Sequence, residues 1–334
     1  MITIAQIGLG SWGPNLLRNL EALSTARVKW ICDLDEGSLA RVKARYPYLE
    51  TTRQVDDLWA DPEVDAVVIA SPAVTHAALA HSALEAGKHV FVEKPLALDV
   101  TEGQRLVELA ERLELRLMVG HLLLYHPAVG RLKALLDGGQ LGDVYYVYSE
   151  RRNLGKVRQD ENAMWSLAPH DVSVILYLLG QTPELVSAHG QAWLQPGIED
   201  TVFLTMRFAD GTLAHSHVSW LDPHKVRRFT VVGSRQMVVF DDVKSTEKVQ
   251  VYDKGVDRVP EYTSYGEALT LRYGDILVPH IEMREPLRLE CEHFVECVAQ
   301  GKRPLSDGQN GLEVLRVLAA GQRSLEHEGR LEAV

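Results

Sequence analysis

Short apolar runs alternate with amphipathic stretches through the first third of the chain. Ile2–Ile7, Val28–Cys32, Ala66–Ala70, His89–Val92 and Leu115–Val119 hold apolar residues at mostly consecutive positions. That is the pattern of strands covered on both faces in a parallel sheet. Between them, Pro14–Ala22, Glu36–Tyr46, Thr75–Ala86 and Thr101–Glu111 carry apolar residues at helical spacing, and Gly87 follows one of them as a C-terminal stop. Alternation on this scale predicts an α/β N-terminal Rossmann domain, a doubly wound parallel sheet, over residues 1–120.

The rhythm changes after Gly120. A helix over Ala128–Leu136 ends at Gly138–Gly139, and a strand over Val144–Glu150 follows. A long polar loop, Arg151–Met164, leads to a helix over Pro169–Leu179 that Gly180 ends. Leu185–Leu194, Thr201–Phe208, Thr212–Trp220, Val226–Val232, Met237–Asp241 and Lys248–Tyr252 then read as strands joined by turns such as Ala209–Asp210–Gly211. From Leu287 onward the pattern is helical, with a break at Arg303–Pro304. Residues 121–334 are therefore expected to form an α+β domain with an open, mostly antiparallel sheet. No internal repeat is visible.

Composition narrows the partners. The 334 residues are 46% hydrophobic and carry a formal net charge of −11, which argues against a nucleic-acid partner. No apolar run approaches the ~18 residues of a membrane span. The three cysteines form no CxxC pair, and the opening MITIAQIGLG has no basic segment before its first strand. A reducing, cytoplasmic setting is expected. His215 and His217 alternate along one strand, but no third ligand stands at a recognisable spacing, so no metal is expected.

The first chemical motif is Gly8–Leu9–Gly10–Ser11–Trp12–Gly13, directly after a strand and before a helix. Gly8 allows the tight turn, Gly10 lets backbone approach a pyrophosphate, and Gly13 allows close helix–strand packing. The helix N-terminus adds N–H donors and a partial positive charge. Asp33 ends the next strand 20 residues beyond Gly13. A carboxylate there accepts from ribose hydroxyls and repels a 2′-phosphate, so NAD is expected rather than NADP.

Two further segments carry a resemblance. Ser71–Pro72 closes a strand shortly before His76, and Glu85–Ala86–Gly87–Lys88–His89–Val90 leads to Glu93–Lys94–Pro95. With Gly301–Lys302–Arg303–Pro304–Leu305 near the C-terminus, the chain resembles the Gfo/Idh/MocA oxidoreductases over essentially its whole length. The resemblance implies an NAD(P)-dependent oxidoreductase acting on CH–OH groups, with Lys94 beside the nicotinamide and the substrate hydroxyl. An ammonium there would stabilise a developing alkoxide. Glu93 would orient Lys94 or touch the cofactor ribose. For His76, a packing role and a cofactor-edge role both stay open.

In the second half, His170 falls ten residues before Gly180, where the family carries its catalytic histidine. An imidazole with an ordinary pKa near 6.5 suits proton removal from a sugar hydroxyl. The family's usual Asp one turn earlier is Ser166 here, so the usual Asp–His pair is absent. Asp171 points elsewhere on a helix and is a candidate substrate contact. The basic loop Arg151–Arg158, including Lys156 and Arg158, could hold a phosphorylated or nucleotide-linked sugar together with Asn162 and Trp165. It resembles the branch that acts on nucleotide-linked amino sugars. Tyr125 is a further cleft candidate. The resemblance implies oxidation at C3 of a UDP-linked N-acetylhexosamine or its uronic acid by a homodimer or homotetramer, with residues 121–334 serving substrate binding and oligomerisation. A free sugar, ketosugar or inositol, or a non-catalytic NAD-binding regulator of the same fold, are the alternatives.

Overall fold

The computed structural model describes residues 1–258 and 269–334. Two compact units emerge, and they do not follow a single cut. One comprises Met1–His126 with Arg284–Arg316; the other comprises Pro127–Met283 with Val317–Val334.

The first unit runs β1 (Ile2–Ile7), α1 (Gly13–Glu21), β2 (Ala26–Cys32), α2 (Glu36–Arg45), β3 (Glu50–Thr52), α3 (Asp56–Ala60), β4 (Ala66–Ile69), α4 (His76–Glu85), β5 (His89–Glu93), α5 (Val100–Arg112) and β6 (Leu117–Gly120). The six strands pair in the order β3-β2-β1-β4-β5-β6, all parallel. This is the doubly wound order, with its reversal between β1 and β4, where such sheets bind ligands beyond the strand ends. Asp35 caps α2 by accepting from Gly37 and Ser38 N–H, and Asp99 caps α5 by accepting from Thr101 and Glu102 N–H.

Alternation along the strands sorts the core into two faces. Ala5, Ile7, Val67, Ile69, Val90, Val92 and Val119 join Leu84 and Leu106 of the helices in one buried cluster. Gln6, Val68, Phe91 and Met118 form a register row on the opposite face. There Phe294 of a later helix packs on Phe91, with ring centroids 5.5 Å apart. The conspicuous Gly–Lys–His stretch before β5 has a structural explanation. Gly87 takes φ +75°, Lys88 Nζ donates to the carbonyls of Asp61 and Val64 at 2.8 Å each, and His89 Nδ1 accepts Arg116 N–H at 2.9 Å.

The second unit contains α6 (Pro127–Asp137), β7 (Val144–Arg152), α7 (Ala163–Leu179), β8 (Leu185–Gln191), β9 (Thr201–Arg207), β10 (Leu213–Ser219), β11 (Val226–Gly233), β12 (Met237–Asp241), β13 (Val249–Arg258) and β14 (Leu269–Leu277). Then α8 (Pro286–Gln300) belongs to the first unit, and α9 (Gly308–Glu326) begins in the first and ends in the second, before β15 (Glu332–Ala333). The sheet order is β14-β13-β12-β11-β7-β10-β9-β8-β15. Only β10 with β7 is parallel, so the open sheet is mostly antiparallel, as its alternating pattern predicts.

Three local expectations change. Arg151 and Arg152 end β7 instead of opening a loop. The helix expected from Pro169 starts six residues earlier, at Ala163, because Asn162 caps it by accepting Trp165 N–H at 3.1 Å. Pro169 sits inside that helix, where its missing N–H leaves one i→i−4 bond unmade. Strands β3, β14 and β15 were not readable, since two are very short and β14 is almost wholly exposed. Among the described residues, no helix is long and apolar enough to cross a membrane.

Candidate active site

Physical crowding explains the glycine loop. Gly8 has φ +99°, and a Cβ on it would lie 2.6 Å from the Ala70 backbone. A Cβ on Gly13 would lie 2.2 Å from Gly8 O, whereas one on Gly10 meets nothing within 4 Å. The first two glycines are thus required by close packing, and Gly10 leaves open space at the N-terminus of α1. Residues with this pattern fit a dinucleotide pyrophosphate. Gln6, fully buried in β1, locks the loop by donating from Nε2 to Gly8 O at 3.1 Å and Gly13 O at 2.9 Å. Asp33 accepts Leu9 N–H at 2.6 Å and Asp35 N–H at 2.8 Å, so it ties the loop to the end of β2. Two of its four lone-pair positions are thereby taken, which leaves acceptor capacity for ribose hydroxyls. Leu9 is buried, while Ser11 and Trp12 are exposed.

Lys94 follows β5 directly and is half-buried, and its peptide bond to Pro95 is cis. Its ammonium is felt by three neighbours. Burial pushes Glu93 well above the usual carboxylate range, against the pull of Lys94 and of the Trp12 side chain. Burial holds His76 below the ordinary histidine value, although carbonyls face both ring nitrogens, and Lys94 lowers it further. Burial also lowers His121 to about 4, with Lys94 adding to the effect. His76 Nδ1 lies 2.7 Å from Pro95 O and Nε2 lies 2.9 Å from Ser71 O. Its ring therefore pins the Ser71–Pro72 strand exit to the Lys94–Pro95 turn. Ser71 Oγ meets Thr75 Oγ1 at 2.6 Å, and Pro72 is exposed beside it. His121 Nδ1 bonds Asn310 Oδ1 at 2.8 Å. Neither His121, Asn310 nor Gln6 stood out in the sequence, although a glutamine inside an apolar strand is itself a signal. Tyr125 is buried, its hydroxyl 2.8 Å from Ser306 Oγ, so its polar end is engaged within the first unit.

In the second unit His170 is half-buried on α7, one turn after the buried Ser166. Asp171 is fully buried and bidentate with Arg151: Nε donates at 3.1 and 2.9 Å and Nη2 at 2.9 Å. Arg227 stands opposite Arg151 across the β7–β11 ladder. Burial and the nearby Arg151 lower its guanidinium to about 10, while Asp171 and Asp242 oppose that shift. Asn162 Nδ2 donates to Glu199 and Gln322, and Trp165 Nε1 donates to Gln322 at 3.2 Å. Arg158 pairs with Glu161 at 3.2 Å, and Arg152 pairs with Glu150 and Asp222. Most of the expected basic segment is therefore neutralised locally. Lys156 is exposed and has no ion pair among the described residues. No group of three or more His, Cys, Asp or Glu side chains able to hold a metal occurs among them either.

A glycine-loop sheet with a lysine at the end of β5 defines a nicotinamide-dependent oxidoreductase. Residues 2–121 match the family described as "Oxidoreductase family, NAD-binding Rossmann fold", and residues 129–239 match the Gfo/Idh/MocA C-terminal domain. The chain belongs to the Gfo/Idh/MocA family, its cofactor is NAD, and it acts as an oxidoreductase on CH–OH groups. It is 31% identical to UDP-N-acetylglucosamine 3-dehydrogenase of Acidithiobacillus ferrooxidans, over 76% of each chain. A solved structure of that enzyme superposes with TM-score 0.82, at 27% identity over 98% of both chains. It is also 27% identical to myo-inositol 2-dehydrogenase of Thermotoga maritima, over 97% of this chain and 96% of that one.

Proposed function

We propose that this protein oxidises a ring hydroxyl of a sugar, at C3 of a UDP-linked N-acetylhexosamine or its uronic acid. The observation that carries the chemistry is Lys94, directly beyond β5 and electrostatically coupled to Glu93, His76 and His121. Bound NAD supplies the hydride acceptor. Lys94 hydrogen-bonds the substrate oxygen and stabilises its alkoxide character as the C–H bond breaks. His170 takes the hydroxyl proton, with Ser166 in the place of a charged partner. Glycines 8, 10 and 13 with Asp33 hold the dinucleotide, and Glu93 keeps Lys94 oriented. The likeness to the Acidithiobacillus enzyme supports the nucleotide-sugar substrate, and the exposed Lys156 is the residue we assign to its phosphates. The longer match to the Thermotoga enzyme supports a second reading, an inositol or free sugar.

NADH absorbance across UDP-sugars, free sugars and inositols tests the choice. Turnover of UDP-N-acetylhexosamine is expected; turnover of polyols alone would overturn the nucleotide-sugar reading. K94A should keep NADH binding and lose kcat by ~100-fold or more. A fully active K94A would remove Lys94 from the mechanism. The open sheet exposes Tyr146, Phe203 and Leu213, an apolar surface that supports a homodimer or homotetramer. Light scattering on the purified chain tests it, and a monomer would refute it.

A further inference from the structure

Arg227 stands half-buried at the start of β11, in a group of charges that does not balance. Two carboxylates act on it through space, Asp171 and Asp242. Each is already held by another cation. Asp171 accepts three hydrogen bonds from Arg151, and Asp242 lies 3.2 Å from Lys248 Nζ. Arg227 itself makes no ion pair among the described residues, and its register partner on β7 is a second guanidinium, that of Arg151. It is therefore a surplus cation in a protein whose net charge is −11. The oxidation described above does not use it.

Its hydrogen bonds fix it without satisfying it. Arg227 Nη1 donates to the Val226 carbonyl at 2.7 Å and the Arg152 carbonyl at 3.0 Å, and Nη2 donates to Asn153 Oδ1. Asn153 N–H in turn donates to Ser219 O at 3.2 Å, which ties the chain leaving β7 to the end of β10. A guanidinium has five N–H donors. The N–H of Nε and one of Nη2 are left without a partner among the described residues. An arginine uses Nε and Nη2 together to grip two oxygens, as Arg151 does on Asp171. The site lies beside the helix that carries His170. Arg227 and Arg151 are directly opposed, so their Cβ atoms stand about 5 Å apart on one face of the sheet. Arg151 meets Asp171 of α7 on that face, and His170 adjoins Asp171, with Cα atoms ~3.8 Å apart. Helix α7 packs on β7, β9 and β10, and β11 is the next strand beyond β7. Arg227 thus flanks the helix.

We propose that Arg227 is a substrate-binding residue that grips an oxyanion of the sugar, a ring carboxylate or a phosphate, with its remaining Nε and Nη2 donors. That role rests on the reading that His170 faces the reacting hydroxyl. An acidic ligand here supplies the missing counter-charge beside two guanidiniums that repel each other across the ladder. The two carbonyls and the Asn153 amide hold the fork before any ligand arrives, so little side-chain freedom remains to be lost on binding. The exposed Lys156 offers charge without that fixed direction. Arg227 is thus the residue that selects an acidic sugar over its neutral counterpart.

Calorimetric titration of the full chain saturated with NADH tests this on matched ligands. The pairs are glucuronate against glucose, UDP-N-acetylglucosamine against N-acetylglucosamine, and UDP-N-acetylglucosaminuronate against UDP-N-acetylglucosamine. Wild type should bind the acidic, or more acidic, member of at least one pair more tightly. R227Q should reduce that preference roughly 10- to 100-fold, the loss expected for hydrogen bonds to a charged group. A loss in the first or third pair identifies a ring carboxylate as the group held, and a loss in the second alone identifies a phosphate; either supports the role. R227K, which keeps the charge without the fork, should show an intermediate preference, and it decides the matter if R227Q does not fold. No acidic preference in wild type overturns the proposal. So does a preference unchanged in either variant, including the case where both members of a pair weaken equally, as a purely structural arginine would require. Turnover restricted to polyols would defeat the nucleotide-sugar reading and still leave the glucuronate–glucose pair to decide this one.

Discussion

Replacing Asp171 by Ala separates two roles that the sequence left entangled. As a substrate contact, Asp171 would affect KM and little else. In the structure it is fully buried and accepts three hydrogen bonds from Arg151, itself almost completely enclosed. Removing one partner of such a pair leaves an uncompensated buried charge and costs about 3–5 kcal/mol. The value should fall toward the upper end, because Arg227 lies across the ladder and Asp171 eases the repulsion between the two guanidiniums. For a unit of this size that corresponds to a fall in Tm of roughly 6–20 °C. Circular dichroism melts of wild type, D171A, R151M and R151M/D171L supply the cycle. The double replacement removes both charges and should recover most of the loss, since well-packed apolar residues often equal or exceed a buried pair. A D171A melt within ~2 °C of wild type, with a raised KM, would refute the structural role and restore the substrate contact.

The glycine loop predicts a contrast. G10A has open space around its new methyl group and should melt like wild type while NADH affinity falls, whereas G13A meets Gly8 O and should lose both Tm and at least roughly tenfold in affinity by calorimetric titration. Equal melts for the two would contradict the packing argument. D33A frees Leu9 N–H and should weaken NADH while narrowing its preference over NADPH in fluorescence titrations; an unchanged ratio would detach Asp33 from cofactor choice. His121 predicts acid sensitivity. Its folded pKa of about 4 lies below the ordinary 6.5, so its contribution is complete above pH 6.5 and is lost as pH falls toward 4. The loss is on the order of 3 kcal/mol, and H121N should flatten that stretch of the Tm–pH curve. Identical slopes would show that His121 is not the group responsible.

The nucleotide-binding half was legible because its constraints are local. Gly13 packs on the carbonyl of Gly8 within the same loop, Gly8 takes φ +99° at its turn, and covered strands such as Ala66–Ile69 are apolar at every position. Lys94 was legible by resemblance, since nothing in the spacing alone marks a lysine before a proline. What stayed hidden depends on partners far along the chain. His121 meets Asn310, and residues 284–316 return to pack with the first unit.

The second unit was less legible for a related reason. A run of basic residues looks like a binding loop when its counter-charges are out of view, but its three arginines have carboxylate partners close by, and only Lys156 has none among the described residues. Arg151 has Asp171, Arg152 has Glu150 and Asp222, and Arg158 has Glu161. Asn162 was noticed for its polar side chain, whose oxygen caps α7 and whose nitrogen donates to Glu199 and Gln322. Charge and polarity in a sequence therefore overstate the ligand-binding surface, because the fold uses many of the same groups to satisfy itself. A polar residue gains weight as a site residue when the structure leaves it unsatisfied or electrostatically strained. Around β5 that condition is met by Glu93, whose raised carboxyl neighbours Lys94.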